Sequence, residues 1–315
     1  MINKVNNNDE IRQSLTTKSV SAKKDRWGYS FSLAALILIG LVVASILFFV
    51  FSRGLMTFTL NDVNPFNFIF GTIWDPSNLD QYGNPQLGAM PMIVGSFAVT
   101  LLAAALATPF AIGISLFMTE ISPKRGGKIM QPVIELLVGI PSVVYGFIGL
   151  TVIVPFLRGI FGGTGFGILA GVIVLFVMIL PTIASMTLDA LKNVPSNYRE
   201  STLALGATRW QWINKVLLRA AMPGIFTAIV FGMARAFGEA LAIQMVIGNS
   251  AVMPSGLLQP ASTLTSILTQ AIGNTTDGSL QNDALWTLAM LLLIMSLVFN
   301  LIIRKISKNA ELSRG

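Results

Sequence analysis

Asn193-Val-Pro-Ser-Asn-Tyr-Arg-Glu200-Ser-Thr-Leu-Ala-Leu-Gly206-Ala-Thr-Arg-Trp-Gln-Trp-Ile-Asn-Lys215 is a polar island in an otherwise apolar chain, with runs long enough to cross a bilayer on both sides of it. Pro195 suits the first turn of a helix, where its missing N–H is no loss, and Gly206 suits the left-handed residue that ends one. The spacing predicts a short helix of about three turns. Beyond Gly206, Thr208 and Gln211 stand three apart as a capping box that starts a second helix. Two helices set at an angle between two spans make a rigid, charged elbow on the surface, a shape that a soluble partner grips better than a floppy loop.

Composition agrees with a chain built for lipid. Hydrophobic residues are 53% of the 315 and charged residues 11%, against roughly 25% charged in a soluble domain. The chain has neither cysteine nor histidine. Thiolate chemistry, disulfides and the commonest general base and metal ligand are therefore missing, which argues against an enzyme and leaves no cofactor or metal to expect. The net charge of +7 calls for no nucleic acid, because basic residues ordinarily flank membrane helices on the cytoplasmic side.

Taken in order, residues 1–29 are polar and read as a disordered cytoplasmic tail. The apolar run 30–51 is too long for a signal-peptide core and lacks a small-residue cleavage site, so it reads as the first span. Residues 52–90, with Asp62, Asp75, Asp80 and several aromatics, suit an external loop. Further spans are expected at 92–117, 129–156, 167–188, 220–247 and 284–303, within a transport domain over 91–304 whose coupling loop is 192–219. Pro109, Pro141 and Pro181 fall inside spans and predict bends. Gly167 and Gly171 form a small-xxx-small pair suited to close helix approach. The Gly126-Gly-Lys128 stretch is no phosphate loop, since Ser122 and Ile129 stand where Gly and Ser or Thr are required. Residues 305–315 form a short basic tail. The fold class expected is all-α, polytopic, with six transmembrane helices.

Charge asymmetry orients this layout. Of the 21 Lys and Arg residues, eighteen fall on the N-terminal tail, the loop between the second and third spans, the elbow and the C-terminus, while the three opposite loops hold two. The positive-inside rule then places both termini and the elbow in the cytoplasm. The remaining one is Arg235, in the middle of a span.

On a continuous helix Arg235 and Glu239, four residues apart, present both heads on one face. An arginine at mid-bilayer costs about 2.5–3.5 kcal/mol on insertion scales, so it needs a partner or a wet cavity. Two readings follow. The pair is either a structural ion pair between helices, or a pathway site in which Arg235 offers its fork to an oxyanion and Glu239 keeps the anion from binding too tightly.

Glu200-Ser-Thr-x-x-x-Gly206, followed by an apolar and basic stretch ending at Pro223, resembles the coupling loop of ABC-importer permeases, Glu-Ala-Ala-x-x-x-Gly and then Ile-x-Leu-Pro. Ser201 and Thr202 replace the two alanines, and Arg219 stands where the proline is usual. Gly139-Ile-Pro-Ser-Val-Val-Tyr-Gly-Phe147, Phe70-Gly-Thr-Ile-Trp-Asp-Pro76 and the run Gly232 to Asn249 are similar to the permease of the phosphate-specific importer, in its C-type rather than its A-type subunit. The resemblance implies a type I ABC-importer permease fold in the cytoplasmic membrane of a prokaryote, with phosphate as cargo. It implies ATPase coupling through Glu200, Ser201, Thr202, Gly206 and Ala207, and a substrate pathway at Arg235 and Glu239. The partners implied are a second homologous permease of the A type, two ATP-binding cassette subunits that hydrolyse ATP, and an extracytoplasmic phosphate-binding protein.

Other readings stay open on the residues alone. One is the same architecture carrying another oxyanion, or the A-type subunit. Another is a stand-alone channel or secondary transporter, which calls for internal repeats or several intramembrane charges.

Overall fold

The computed structural model describes residues 20–79, 83 and 85–312. The chain divides into two compact units, 1–52 and 53–315. The first contains the greater part of one long helix, α1 (Val20–Thr59), whose last turns belong to the second unit. That helix starts inside the expected polar tail, ten residues before the apolar run; the rest of the tail lies outside the described residues.

The second unit is almost entirely helical. A short helix α2 (Pro65–Phe70) and an antiparallel ribbon, β1 (Trp74–Leu79) with β2 (Pro85–Leu87), fill the expected loop 52–90. This ribbon is the one sheet among the described residues and an addition to the all-α expectation. Then come α3 (Met90–Leu116), α4 (Pro123–Gly139), α5 (Ser142–Ile148), α6 (Val154–Phe161), α7 (Ile168–Lys192), α8 (Ser196–Ala204), α9 (Arg209–Gln211), α10 (Leu218–Phe237), α11 (Leu241–Gln244), α12 (Leu264–Ala271) and α13 (Leu280–Leu312). Single π turns at Phe117–Ile121, Gly149–Ile153 and Trp212–Leu217 extend α3, join α5 to α6 and join α9 to α10. Among the described residues, six helical stretches have the length and apolarity to cross a membrane: Trp27–Thr59, Met90–Ile121, Ser142–Phe161, Ile168–Lys192, Arg209–Phe237 and Leu280–Leu301.

The spans differ from their expected limits for identifiable reasons. The first continues past Phe51 to Thr59, where Arg53 is paired with Asp277 at 3.0 Å and Thr287 donates to the Gly54 carbonyl. The third does not start at 129, because Pro141 forces Ile140 into extended backbone (φ −70°, ψ 128°) and divides the run into α4 and a span beginning at Ser142. The last continues to Leu312, since nothing in 304–312 is a helix breaker. The fifth ends at Phe237 rather than 247, with consequences described below.

The core is made where α3, α7 and α10 cross. Small residues of α3, Ala103, Ala104, Ala107 and Ala111, are all buried against Leu175, Met178, Ile179 and Ile183 of α7. Without water between helices, close van der Waals fit is what holds such a bundle together. Gly232 shows how close: a Cβ there would stand 2.4 Å from Cγ1 of Ile183, so α10 meets α7 at that point only because the side chain is absent. Large apolar side chains left exposed on the span helices, such as Leu101, Phe110, Phe156 and Phe231, are what a lipid-facing surface requires.

Candidate functional site: the elbow and the interrupted fifth span

The elbow forms from local signals. Pro195 sits at the cap just before α8, one position outside the helix. At the other end Gly206 has φ +77°, with Gly206 N–H donating to the Leu203 carbonyl (3.0 Å) and Ala207 N–H to that of Thr202 (3.3 Å). This is the Schellman arrangement, in which a left-handed residue lets two amides close on the last free carbonyls. Thr208 then caps α9: its hydroxyl accepts from Gln211 N–H, and the Gln211 side chain accepts from Thr208 N–H at 2.8 Å. The Thr202 hydroxyl satisfies itself on the Tyr198 carbonyl within α8.

No residue of α8 is buried. Glu200, Ser201, Thr202, Gly206 and Ala207 therefore lie together on one protruding elbow, and Glu200 is in no ion pair among the described residues. Large apolar groups protrude with them: Leu205 is 88% exposed and Trp210 67%. The root of the elbow is fixed by Trp212, Ile213 and Leu217, buried against Leu191, Ala221 and Ile225.

The site expected at mid-span is arranged differently: in the fifth span, Arg209–Phe237, Arg235 stands two residues from the end. Helix α10 stops at Phe237, so Arg235 and Glu239 do not share a helical face, and no ion pair joins them among the described residues. Arg235 is half-buried in the last turn of α10, where the helix dipole favours a cation. Its Nη1 donates to the Thr182 hydroxyl of α7 at 2.7 Å. Among the described residues that is the one hydrogen bond made by its guanidinium, which carries five N–H groups. Thr182 follows Pro181 within α7 and gave no signal in the sequence, because only the packing of α10 on α7 brings it to residue 235.

Glu239 instead supports the break. Its carboxylate accepts from Ala242 N–H at 3.2 Å, at the start of α11, and its carbonyl accepts from the Thr265 hydroxyl at 2.7 Å. With Ser96, Thr100, Thr263 and Thr265 it lines a polar cavity of about 10 Å³, near the lower limit for one water molecule. The chain from 238 to 263 is largely non-helical, and non-helical backbone at membrane depth persists only if its polar groups are satisfied by protein. Several of them are: Gly167 N–H donates to the Val246 carbonyl, Ala261 N–H to that of Ile247, Ser250 N–H to that of Ala261, and the Asn249 amide to the Gln244 carbonyl.

Residues 111–311 match the family described as binding-protein-dependent transport system inner membrane component. Relatives include a probable ABC transporter permease protein, YqgH, of Bacillus subtilis (strain 168), 53% identical over 88% of both chains. The phosphate transport system permease protein PstC of Haemophilus influenzae is 31% identical over 79% of this chain and 83% of its own length. PstC 1 of Mycobacterium tuberculosis is 33% identical over 79% and 84%. Among solved structures, a bacterial alginate ABC transporter aligns at TM-score 0.63 and 15% identity over 92% of this chain and 96% of that one. The MetNI methionine ABC transporter aligns at TM-score 0.56 and 22% identity over 70% and 94%. Sequence match, helix arrangement and the six membrane-length helices agree: the chain belongs to the binding-protein-dependent transport system inner membrane component family, as a multi-pass inner-membrane permease subunit of an ABC importer.

Proposed function

We propose that this permease carries inorganic phosphate inward, as the C-type subunit of an importer driven by ATP hydrolysis on partner subunits. The observation that carries the reading is the Arg235 guanidinium: a cation in the last turn of an apolar span, held by one neutral hydroxyl and lacking a carboxylate partner among the described residues. A planar fork with free donors matches the oxygens of a tetrahedral oxyanion. Thr182 orients the fork without neutralising it. Glu239 serves the pathway by anchoring the point at which α10 ends, and so fixes where Arg235 stands. The relatives named as phosphate permeases point the same way.

In this reading both termini and the elbow face the cytoplasm, as the distribution of Lys and Arg favours. Two ATP-binding cassette subunits dock on the elbows of this chain and of a second, A-type permease, and an extracytoplasmic phosphate-binding protein delivers the anion outside. Closure of the ATP-binding subunits pushes on Glu200 to Ala207. The capped elbow moves as a body, and the spans rooted at Trp212 tilt so that Arg235 meets the outside and the inside in turn.

Uptake of labelled phosphate by cells lacking the gene, with and without the intact chain restored, tests the proposal, with sulfate and molybdate as competitors. Loss of phosphate uptake that the chain restores, unaffected by the competitors, is the expected result. Unchanged phosphate uptake together with lost uptake of another oxyanion overturns the cargo assignment.

A further inference from the structure

The inner end of the second span carries a buried carboxylate that the proposed mechanism does not use. Glu120 lies in the π turn Phe117–Ile121 and is 7% exposed, yet its Oε2 atom is buried and has no hydrogen-bond partner. The nearest cation is Arg199 of α8, the residue just before Glu200, whose Nη2 stands 3.7 Å from Oε2. That is too long for a hydrogen bond. The Arg199 side chain is 48% exposed. Both residues line a cavity of about 320 Å³, together with Thr119, Gly127, Lys192 and Trp212 among others. Trp212, another lining residue, has a buried indole N–H with no acceptor.

A buried charge without a hydrogen bond is costly, and closing on a guanidinium by under about 1 Å turns a loose ion pair into a short, charge-assisted one. The cavity leaves room for that movement. We propose that Arg199 and Glu120 form a clasp: as the elbow is pushed, Arg199 seats on the Glu120 carboxylate and passes the displacement to the inner end of α3, the helix packed most extensively on α7. Both are positioning residues for coupling. The inference rests on the reading that the elbow receives the ATP-binding subunits, and adds that the second span is driven through this one contact as well as through the backbone.

The test uses the complete importer in proteoliposomes and measures phosphate moved per ATP split. Glu120→Gln keeps the shape and removes the charge; the ratio is expected to fall about ten-fold. Arg199→Gln, altered at the exposed partner, should give the same loss if the buried variant fails to assemble. The exchange Glu120→Lys with Arg199→Glu should restore the ratio to within about two-fold of the parent, which a role in packing alone does not predict. An unchanged ratio in both Gln variants overturns the clasp. Gly206→Pro run alongside separates the two readings: if it uncouples while the Gln variants do not, the elbow stands and the clasp falls, and if it leaves coupling intact, the elbow reading fails first.

Discussion

The elbow and the interrupted end of the fifth span are two polar places in a largely apolar molecule, and they are built by opposite means. Every hydrogen bond that shapes the elbow joins residues no more than five positions apart, as in Ala207 to Thr202 and Thr208 to Gln211. Around Arg235 and Glu239, besides the local bond from Ala242 N–H, two bonds span 53 positions to Thr182 and 26 to Thr265. The elbow is exposed and its apolar tips are free; the site at the end of α10 is assembled from helices that must first be packed. A rigid handle can be specified locally because water satisfies whatever the turn leaves over. A charge at membrane depth cannot, because each unsatisfied group there needs a protein partner.

The sharpest way to break this comparison is Arg235→Leu. Phosphate uptake is expected to fall by about a hundred-fold or more, since a charged contact to the anion inside a low-dielectric site is lost, while the subunit still assembles. Uptake near the parental level with normal assembly reduces Arg235 to a packing group. Next is Gly206→Val. With φ at +77°, a β-branched residue there is strained by about 1–2 kcal/mol or more, and the elbow is expected to loosen, so that ATP is split with several-fold less transport. Gly206→Asn, which tolerates the left-handed region, should retain most coupling.

Thr182→Val sharpens the other half. It keeps the shape and removes the acceptor for Arg235, so KM for phosphate should rise about ten-fold with a smaller change in maximal rate, and Thr182→Ser should restore it. Gly232→Ala tests the packing that places Arg235: its Cβ meets Ile183, and the expected cost is about 1–3 kcal/mol, read as a lower melting temperature of the purified complex. The smallest effect belongs to Thr208→Ala, which removes a cap worth about 1 kcal/mol at an exposed site and should lower thermal stability slightly with little change in transport.

Much was legible beforehand where the signal is local or compositional. Gly206 and the box of Thr208 with Gln211 needed only their neighbours to be read correctly, and the apolar runs announced six membrane-length helices. Misreadings fell where apolarity continues through a change of backbone. The runs 129–156 and 220–247 are hydrophobic throughout, so hydropathy cannot see that Pro141 divides the first or that α10 stops at Phe237. The pairing of Arg235 with Glu239 followed from assuming a continuous helix. Thr182, Glu120 and Arg199 carried no pattern of their own: a threonine after a proline and a loop-end acid look ordinary until α10 meets α7 and α8 meets the end of α3.

By itself, then, the order of residues determined that this chain lives in a bilayer, how many times it has the length to cross one, and where a stiff charged turn projects, because burial in lipid and helix capping depend on composition and on near neighbours. Only the tertiary structure decided that Arg235 is held by Thr182, that Glu239 braces a break in the helix, and that Glu120 waits near Arg199. Those contacts join residues dozens of positions apart, and they exist because helices with small residues at their crossings approach closely enough to bring single side chains within reach of one another.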